Sequence, residues 1–137
     1  MRTFFDSSAF AKRYVEEAGS QAVDRLCAEA SELALSVIGI PEILSALNRR
    51  VRERLLSPGE YTQIKQRLSE DVRDAVIINL TPSVIAACIA VLEASPVRAM
   101  DALHVACARE WGAERFVSAD KRQIAAAKKA GLRTKSV

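Results

Sequence analysis

Hydrophobic residues in this chain alternate between short continuous runs and longer stretches with helical spacing. Short apolar runs between polar or turn-forming residues are typical of buried strands. Four such runs predict strands at residues 3–6, 33–37, 76–80 and 115–117. A fifth, shorter strand is predicted at an edge of the sheet over residues 132–136. The pattern therefore predicts a sheet of four to five strands.

About seven stretches between these runs have the spacing or composition of helices. One face of the third carries apolar residues at helical intervals, namely Ile40, Leu44, Leu47, Val51 and Leu55. Ser57 and Pro58 begin the fourth, and Glu60 follows three positions after the cap, which is typical of a helix start. The predicted helices cover residues 8–16, 20–30, 41–55, 58–74, 82–95, 98–112 and 121–130.

Strands that alternate with helices imply a mainly parallel sheet with helices on both faces, because parallel neighbours need a crossover connection. We therefore predict a three-layer α/β protein. A length of 137 residues is common for one compact domain, so a single domain over residues 1–137 is expected. Ligands in such folds bind beyond the carboxyl ends of the strands, where the strand order reverses.

Charge and cysteine content limit the kinds of partner and the cellular compartment that we expect for this protein. The net charge of +3 permits a phosphate-bearing partner, and every charged side chain beyond Asp120 is basic, as in clusters that hold a nucleic-acid backbone. Cys27, Cys88 and Cys107 lie far apart, so we expect reduced, buried thiols and a reducing cytoplasm. No apolar run reaches the roughly 18 residues of a membrane span, so a soluble protein without a membrane partner is expected.

Four acidic residues stand in apolar surroundings at predicted junctions between strands and helices: Asp6, Glu42, Asp101 and Asp120. Two of them follow strands and two lie in the first turns of helices, so all four are expected at one edge of the sheet. A buried carboxylate is normally paired or metal-bound. Oxygen ligands without a Cys or His cluster suit Mg²⁺ or Mn²⁺ better than zinc.

Each acid taken alone has an ordinary explanation as a helix cap or a salt-bridge partner. Ser8 and Ser118, each two positions from an acid, could orient a carboxylate or a water, although Ser8 could equally cap a helix. His104 follows Asp101 by three positions and could complete a mixed Asp/His site. A packed or hydrogen-bonded helix residue is the simpler interpretation of this single histidine. The case for a site depends on the four acids together.

Four segments carry these acids in a recognisable order. They read FDSSA at residues 5–9, PEI at 41–43, MDALH at 100–104 and VSADKR at 117–122. In order and spacing they resemble the PIN-domain nucleases, and most of all the VapC toxins of toxin-antitoxin pairs. The resemblance covers essentially the whole chain, and Ser118 stands where relatives often carry Thr or Ser.

The resemblance implies a PIN fold in which the four acids hold one or two Mg²⁺ or Mn²⁺ ions, with Asp6 and Asp101 as the principal direct ligands. It implies a metal-dependent endoribonuclease that cuts RNA, often a tRNA or ribosomal RNA, and that a cognate antitoxin silences. Either Glu42 or Asp120 could orient or deprotonate the attacking water. The choice between them stays open.

Further expectations concern binding partners. Lys12 and Arg13 lie one turn into the helix that follows Asp6, and Arg98 lies one turn ahead of Asp101, so these three are candidates for contacts with RNA phosphates. The third and fourth helices predict a hairpin with an apolar groove, which would suit an amphipathic antitoxin segment or a second copy of the chain. We therefore expect a cognate antitoxin and a homodimer.

Three alternatives to the toxin remain. Asp6 after the first strand could be the covalent nucleophile of a phosphatase, although those enzymes commonly carry a second acid where Ser8 stands. The chain could be a non-catalytic PIN-like binding module, but four clustered acids would then repel one another without a metal. It could also be a PIN nuclease of RNA processing outside a toxin-antitoxin pair.

Overall fold

The computed structural model describes every residue from Met1 to Val137 and contains one sheet of five strands. The strands are β1 (Arg2–Phe5), β2 (Glu32–Ser36), β3 (Val76–Ile78), β4 (Arg115–Ser118) and β5 (Thr134–Ser136). They lie in the order β3-β2-β1-β4-β5, and all neighbours are parallel. This confirms the predicted α/β class and the parallel sheet, including the fifth strand at the edge.

Seven helices connect the strands, as predicted. They are α1 (Ser7–Phe10), α2 (Ser20–Glu29), α3 (Gly39–Arg52), α4 (Pro58–Asp74), α5 (Pro82–Ala94), α6 (Ala99–Trp111) and α7 (Lys121–Lys129). The predicted capping box begins α4, because the Ser57 hydroxyl accepts from the Glu60 N–H while the Glu60 carboxylate accepts from the Ser57 N–H.

Adjacent residues of each central strand face opposite sides of the sheet, which creates two cores. Phe4 packs with residues of α5, α6 and α7, and its ring stacks on Phe116 with centroids 5.7 Å apart. Phe5 packs on the other side with residues of α1 to α4. This period of two places helices on both faces and gives the predicted three layers.

The strand order reverses between β1 and β4. The chain runs from β1 through β2 to β3 on one side, then crosses to β4 and β5 on the other. The Asp6 N–H donates to the Val117 carbonyl (3.1 Å), so the pairing of β1 with β4 continues past the end of β1. The segments that follow β1 and β4 therefore emerge side by side at the carboxyl edge.

The predicted helix at residues 8–16 is wrong in its extent. Regular helix ends at Phe10, and a 3₁₀ turn follows over Ala11–Arg13. The Tyr14 hydroxyl donates to the Asp71 carboxylate of α4, and this long-range contact draws the chain away from the helix axis. Gly19 then adopts a φ of +94°, and a Cβ there would lie 2.9 Å from the carbonyl carbon of Val137.

The predicted apolar face of the third helix is confirmed at Leu47, which is buried, and at Ile40 and Leu44, which pack against the same core, but it is wrong at Leu55. The buried residues of α3 are Gly39, Ile43 and Leu47. The helix ends at Arg52 because Arg54 adopts a left-handed φ of 61°. Leu55 consequently lies outside the helix and is 62% exposed.

The predicted groove of the α3–α4 hairpin is open only at its tip, where a hollow of about 460 Å³ is lined by Val51, Arg54, Leu55, Leu56, Ser57, Pro58 and Glu60. The inner side chains of this hairpin, including Ile43, Leu47, Ile64 and Leu68, are buried in the core. The third strand is shorter than the predicted residues 76–80 and ends at Ile78. The Thr81 side chain instead caps α5 through the Val84 N–H.

The cysteines behave as buried thiols. Cys88 and Cys107 are buried, Cys27 is partly buried, and none forms a disulfide. Burial raises the pKa of the Cys27 thiol to about 11, so the reactive thiolate is scarce at neutral pH. None of the seven helices combines the length and apolar character needed to span a membrane.

Replacing Phe116 with Ala should lower the free energy of unfolding by about 3–5 kcal/mol, because a fully buried aromatic ring leaves a cavity against Phe4. Leu55→Ala should change it by no more than about 0.5 kcal/mol, since that side chain is exposed. Urea unfolding followed by circular dichroism measures both. A large loss for Leu55→Ala would contradict the described end of α3.

Candidate active site

Asp6 occupies the point where β1 passes into α1. Its carboxylate is 1% exposed, and Oδ1 accepts from the Ala9 N–H (2.9 Å), so Asp6 rather than Ser8 caps α1. The Ser8 hydroxyl lies 2.8 Å from Oδ1 and 2.9 Å from Oδ2. The Ser118 hydroxyl donates to Oδ2 (2.6 Å). A carboxylate so enclosed is poorly placed for the covalent attack that the phosphatase alternative requires.

Gln123 is a buried polar residue that the sequence interpretation missed. Its Nε2 donates to the Asp101 carbonyl (3.2 Å), and its Oε1 lies 3.4 Å from the Ser118 hydroxyl. Gln123 thus joins α6 and α7 behind the acids, with only 2% of its surface exposed. Its position one turn after Asp120, next to the apolar residues of α7, could have indicated a buried glutamine near the acids.

Asp101 and Asp120 share one cleft. The cleft has a volume of about 600 Å³ and is lined by Pro96, Val97, Arg98, Asp101, Asp120, Lys121 and Arg122. Asp120 caps α7, because its Oδ1 accepts from the Arg122 N–H (2.8 Å) and the Gln123 N–H (3.2 Å). Its Oδ2 accepts no hydrogen bond from the protein, and neither carboxylate oxygen of Asp101 does.

Glu42 lies in the first turn of α3, as predicted. Its Oε1 accepts from the Ser7 hydroxyl (3.0 Å) and contacts Nε2 of His104. Partial burial acts to raise the pKa of Glu42, but the contacts with His104 and Ser7 outweigh it, so this pKa is lowered. His104 is thus the hydrogen-bonded helix residue that the sequence favoured. Nothing in the sequence predicted that Ser7 would also donate a hydrogen bond to Glu42.

Burial opposes the ionisation of Asp6 and Asp101. Burial raises the pKa of Asp6, although the Ser118 hydroxyl acts against it. Burial also raises the pKa of Asp101, and the like charge of Asp120 adds to that effect. Neither of these two aspartates forms an ion pair with Lys or Arg, and Asp120 forms none either. Arg98, Lys121 and Arg122 line the same cleft as Asp101 and Asp120 but form no close ion pair with either carboxylate.

The donor set fits a hard divalent cation in its chemistry. Carboxylate oxygens without protein partners remain on Asp101, on Asp120 and, through Oε2, on Glu42. Such oxygens are the preferred ligands of Mg²⁺ and Mn²⁺. No three Asp, Glu, His or Cys side chains are already gathered into a coordination shell. Binding of a metal would therefore require side-chain rotation around the cleft.

The candidate phosphate-contacting residues separate into two groups. Arg98 lines the cleft beside Asp101, together with Lys121 and Arg122, which were predicted only as part of a basic cluster. The structure does not bring Lys12 or Arg13 to this cleft. They lie in ion pairs elsewhere, Lys12 with Glu17 (3.8 Å) and Arg13 with Asp24 (3.6 Å) and Asp71 (3.8 Å).

Asp101→Asn should stabilise the metal-free protein at pH 7. A raised pKa means that the ionised carboxylate is disfavoured in the folded chain, so removing its charge should gain up to about 1 kcal/mol. If the acids bind Mn²⁺, an ion at 100 times its Kd adds about 2.7 kcal/mol to wild type. The variant should gain much less. Thermal unfolding in chelator and in Mn²⁺ measures both effects.

Asp74→Asn is the matched control, since Asp74 is an exposed aspartate at the end of α4. It removes the same charge at a distance from the carboxyl edge and should leave the response to Mn²⁺ unchanged. Equal stabilisation of wild type and Asp101→Asn by Mn²⁺ would remove Asp101 from the candidate metal centre.

Solved structures share this architecture along nearly their whole length. Mycobacterium tuberculosis VapC20, described as a sarcin-ricin loop cleaving toxin, matches with a TM-score of 0.69 and 20% identity over 95% of each chain. VapBC2 from Rickettsia felis, bound to a promoter DNA fragment, matches with a TM-score of 0.71 and 13% identity over 100% of this chain and 99% of that one. DNA-bound VapBC from Salmonella typhimurium matches with a TM-score of 0.70 and 10% identity over 99% and 98%.

Identities of this size establish a common fold and nothing finer. A comparison with curated proteins gave no match. The family comparison is more direct, because the sequence matches the PIN domain over residues 3–129, from β1 to the end of α7. The four acids all lie within that span. The chain therefore belongs to the PIN domain family.

Proposed function

We propose that the protein is a metal-dependent endoribonuclease that hydrolyses RNA phosphodiester bonds and acts as the toxin of a type II toxin-antitoxin pair. The observation that carries the proposal is the set of unpartnered carboxylate oxygens at the switch point of a PIN-domain sheet. The cleft that contains Asp101 and Asp120 is also lined by Arg98, Lys121 and Arg122. Carboxylates beside cations suit a phosphate-bearing substrate that arrives with a divalent ion.

The position of each residue indicates its proposed role in metal binding, in orienting a carboxylate or in binding phosphate. Asp101 and Asp120 present free oxygens to the cleft and would hold Mg²⁺ or Mn²⁺ there, with the unpartnered Oε2 of Glu42. Asp6 would join them only if the Ser8 and Ser118 hydroxyls turned away from its carboxylate. The ion, when bound, would supply a Lewis acid for the phosphate and make the attacking water more acidic. Ser8 and Ser118 orient the Asp6 carboxylate through their hydroxyls. Arg98, Lys121 and Arg122 would hold the phosphates on either side of the scissile bond.

RNA shape is the proposed basis of substrate choice. Sequence-specific readers of RNA stack unpaired bases on aromatic side chains. No aromatic residue lines the cleft, and the four phenylalanines lie in the core. A tRNA or ribosomal RNA loop, held in shape by its own fold, would suit such a cleft. The description of VapC20 as cleaving the sarcin-ricin loop supports this substrate class by analogy.

Protein partners belong to the same proposal. Solved relatives from Rickettsia felis and Salmonella typhimurium are VapBC structures, which supports a cognate antitoxin for this chain. The exposed apolar residues Ile85, Ile89 and Leu92 form a stripe at helical spacing on α5. This stripe is available to an antitoxin or to a second copy in the proposed homodimer. The free thiols agree with the proposed cytoplasmic location.

Purified protein should cut a pool of total cellular RNA at discrete positions in the presence of Mn²⁺ or Mg²⁺, and sequencing of new ends should locate them. Cleavage should disappear with chelator and in Asp101→Asn, because the metal centre is lost. Asp74→Asn should cut like wild type. Loss of an essential member of the metal centre commonly costs several orders of magnitude in rate, so the difference should be unambiguous.

Four results would change the proposal. Cleavage that persists in chelator would exclude a metal-dependent site. A folded protein that binds Mn²⁺ but leaves both RNA classes intact would contradict the proposed substrate. Absence of Mn²⁺ binding together with intact RNA would favour the non-catalytic binding module. Discrete cleavage without growth inhibition on expression would instead indicate an RNA-processing enzyme outside a toxin-antitoxin pair.

A further inference from the structure

One oxygen of Glu42 is held by side chains from two other helices. Its Oε1 accepts from the Ser7 hydroxyl (3.0 Å) and contacts Nε2 of His104. Ser7 is the first residue of α1, and His104 lies in the second turn of α6. Three segments that are distant in sequence therefore converge on a single atom at the carboxyl edge.

The second oxygen of Glu42 has no protein partner. The side chain is 29% exposed and lines a hollow of about 380 Å³ together with Arg49 and Met100. Met100 lines this hollow and the next residue, Asp101, lines the main cleft, so the two cavities border consecutive residues in the first turn of α6. Anchoring Oε1 therefore leaves Oε2 as the only oxygen that Glu42 can offer to this edge.

A histidine at position 104 is less favourable for core packing than an apolar residue of similar size would be. The ring is 1% exposed and meets Phe4 edge-on, with centroids 6.4 Å apart. Its Nδ1 is buried without a hydrogen-bond partner, and leaving a buried polar atom unsatisfied is destabilising. A leucine would fill similar space without that cost. The feature that the imidazole adds is the Nε2 contact with Glu42.

We propose that His104 is a positioning residue, which together with Ser7 holds Oε1 of Glu42 and leaves Oε2 as the one oxygen that this side chain offers to a metal ion. This inference depends on the proposed nuclease function. It assigns to Glu42 a role through one oriented oxygen, in contrast to Asp101, whose two oxygens are both free. His104 itself touches neither substrate nor metal, because it is buried behind Glu42.

The test compares His104→Leu with His104→Gln. Leucine removes the donor, and glutamine can place an amide N–H near the position of Nε2. Loss of such a supporting partner typically costs 10–100-fold, so His104→Leu should lower kcat by about that factor with KM little changed. His104→Gln should recover most of the loss. Ser7→Ala, which removes the other donor at a partly exposed position, should lower kcat by a smaller factor.

Mn²⁺ affinity, measured by calorimetry, gives a readout that does not require RNA cleavage. His104→Leu and Glu42→Gln should weaken Mn²⁺ binding by similar factors. The double variant should be no weaker than Glu42→Gln alone, because both changes remove the same oriented oxygen. Val105→Ala is the matched control, since it removes packing from the neighbouring buried position of α6 without touching Glu42.

The outcomes separate this inference from the nuclease proposal. If wild type binds Mn²⁺ but cuts no RNA, the nuclease proposal fails, and the non-additive Mn²⁺ affinities still decide the role of His104. If His104→Leu keeps wild-type kcat and Mn²⁺ affinity, the positioning role is overturned. If His104→Gln is as impaired as His104→Leu, or Val105→Ala is equally impaired, packing alone accounts for His104 and the inference is overturned. Should His104→Leu fail to fold, Ser7→Ala and His104→Gln decide.

Discussion

The carboxyl edge of the sheet depends on the burial of the Asp6 carboxylate. A buried charge is costly unless several donors satisfy it, and here the donors come from both sides of the switch point. The Ala9 N–H and the Ser8 hydroxyl belong to α1, whereas the Ser118 hydroxyl ends β4. One carboxylate therefore fixes where α1 leaves the sheet and where β4 stops. Asp120 is placed by the same contact, since its N–H donates to the Ser118 hydroxyl (3.0 Å).

Carboxylates placed close together at this edge suit metal binding but lower the stability of the fold. The fold buries Asp101 and places it beside Asp120, and its pKa is raised first by that burial and then by the like charge of Asp120. The two cores compensate, because each side of the sheet is closed by its own set of helices and Phe4 and Phe5 contribute to opposite sides. The charged edge can remain strained because most of the folding free energy is supplied elsewhere.

Local patterns in the sequence were sufficient to predict the five strands, the seven helices and the four acids at helix starts or strand ends. Contacts between distant residues were not visible in those patterns. The helix at residues 8–16 stops early because Tyr14 bonds to Asp71, 57 positions away. Glu42 and His104 are 62 positions apart, and the residues next to each of them give no sign in the sequence that the two side chains are in contact. Leu55 matched a helical period, but the left-handed Arg54 had already ended the helix.

The parallel strand order has a consequence for the time at which the site can exist. Asp6 is among the first residues of the chain to be synthesised. Its hydrogen-bond partner across the switch point, Ser118, belongs to β4 and is synthesised more than a hundred residues later. A chain still being synthesised holds Asp6, Glu42 and later Asp101 without the strand that aligns them. The acidic edge is thus assembled last, and a growing or truncated chain that lacks β4 has no complete cluster of acids.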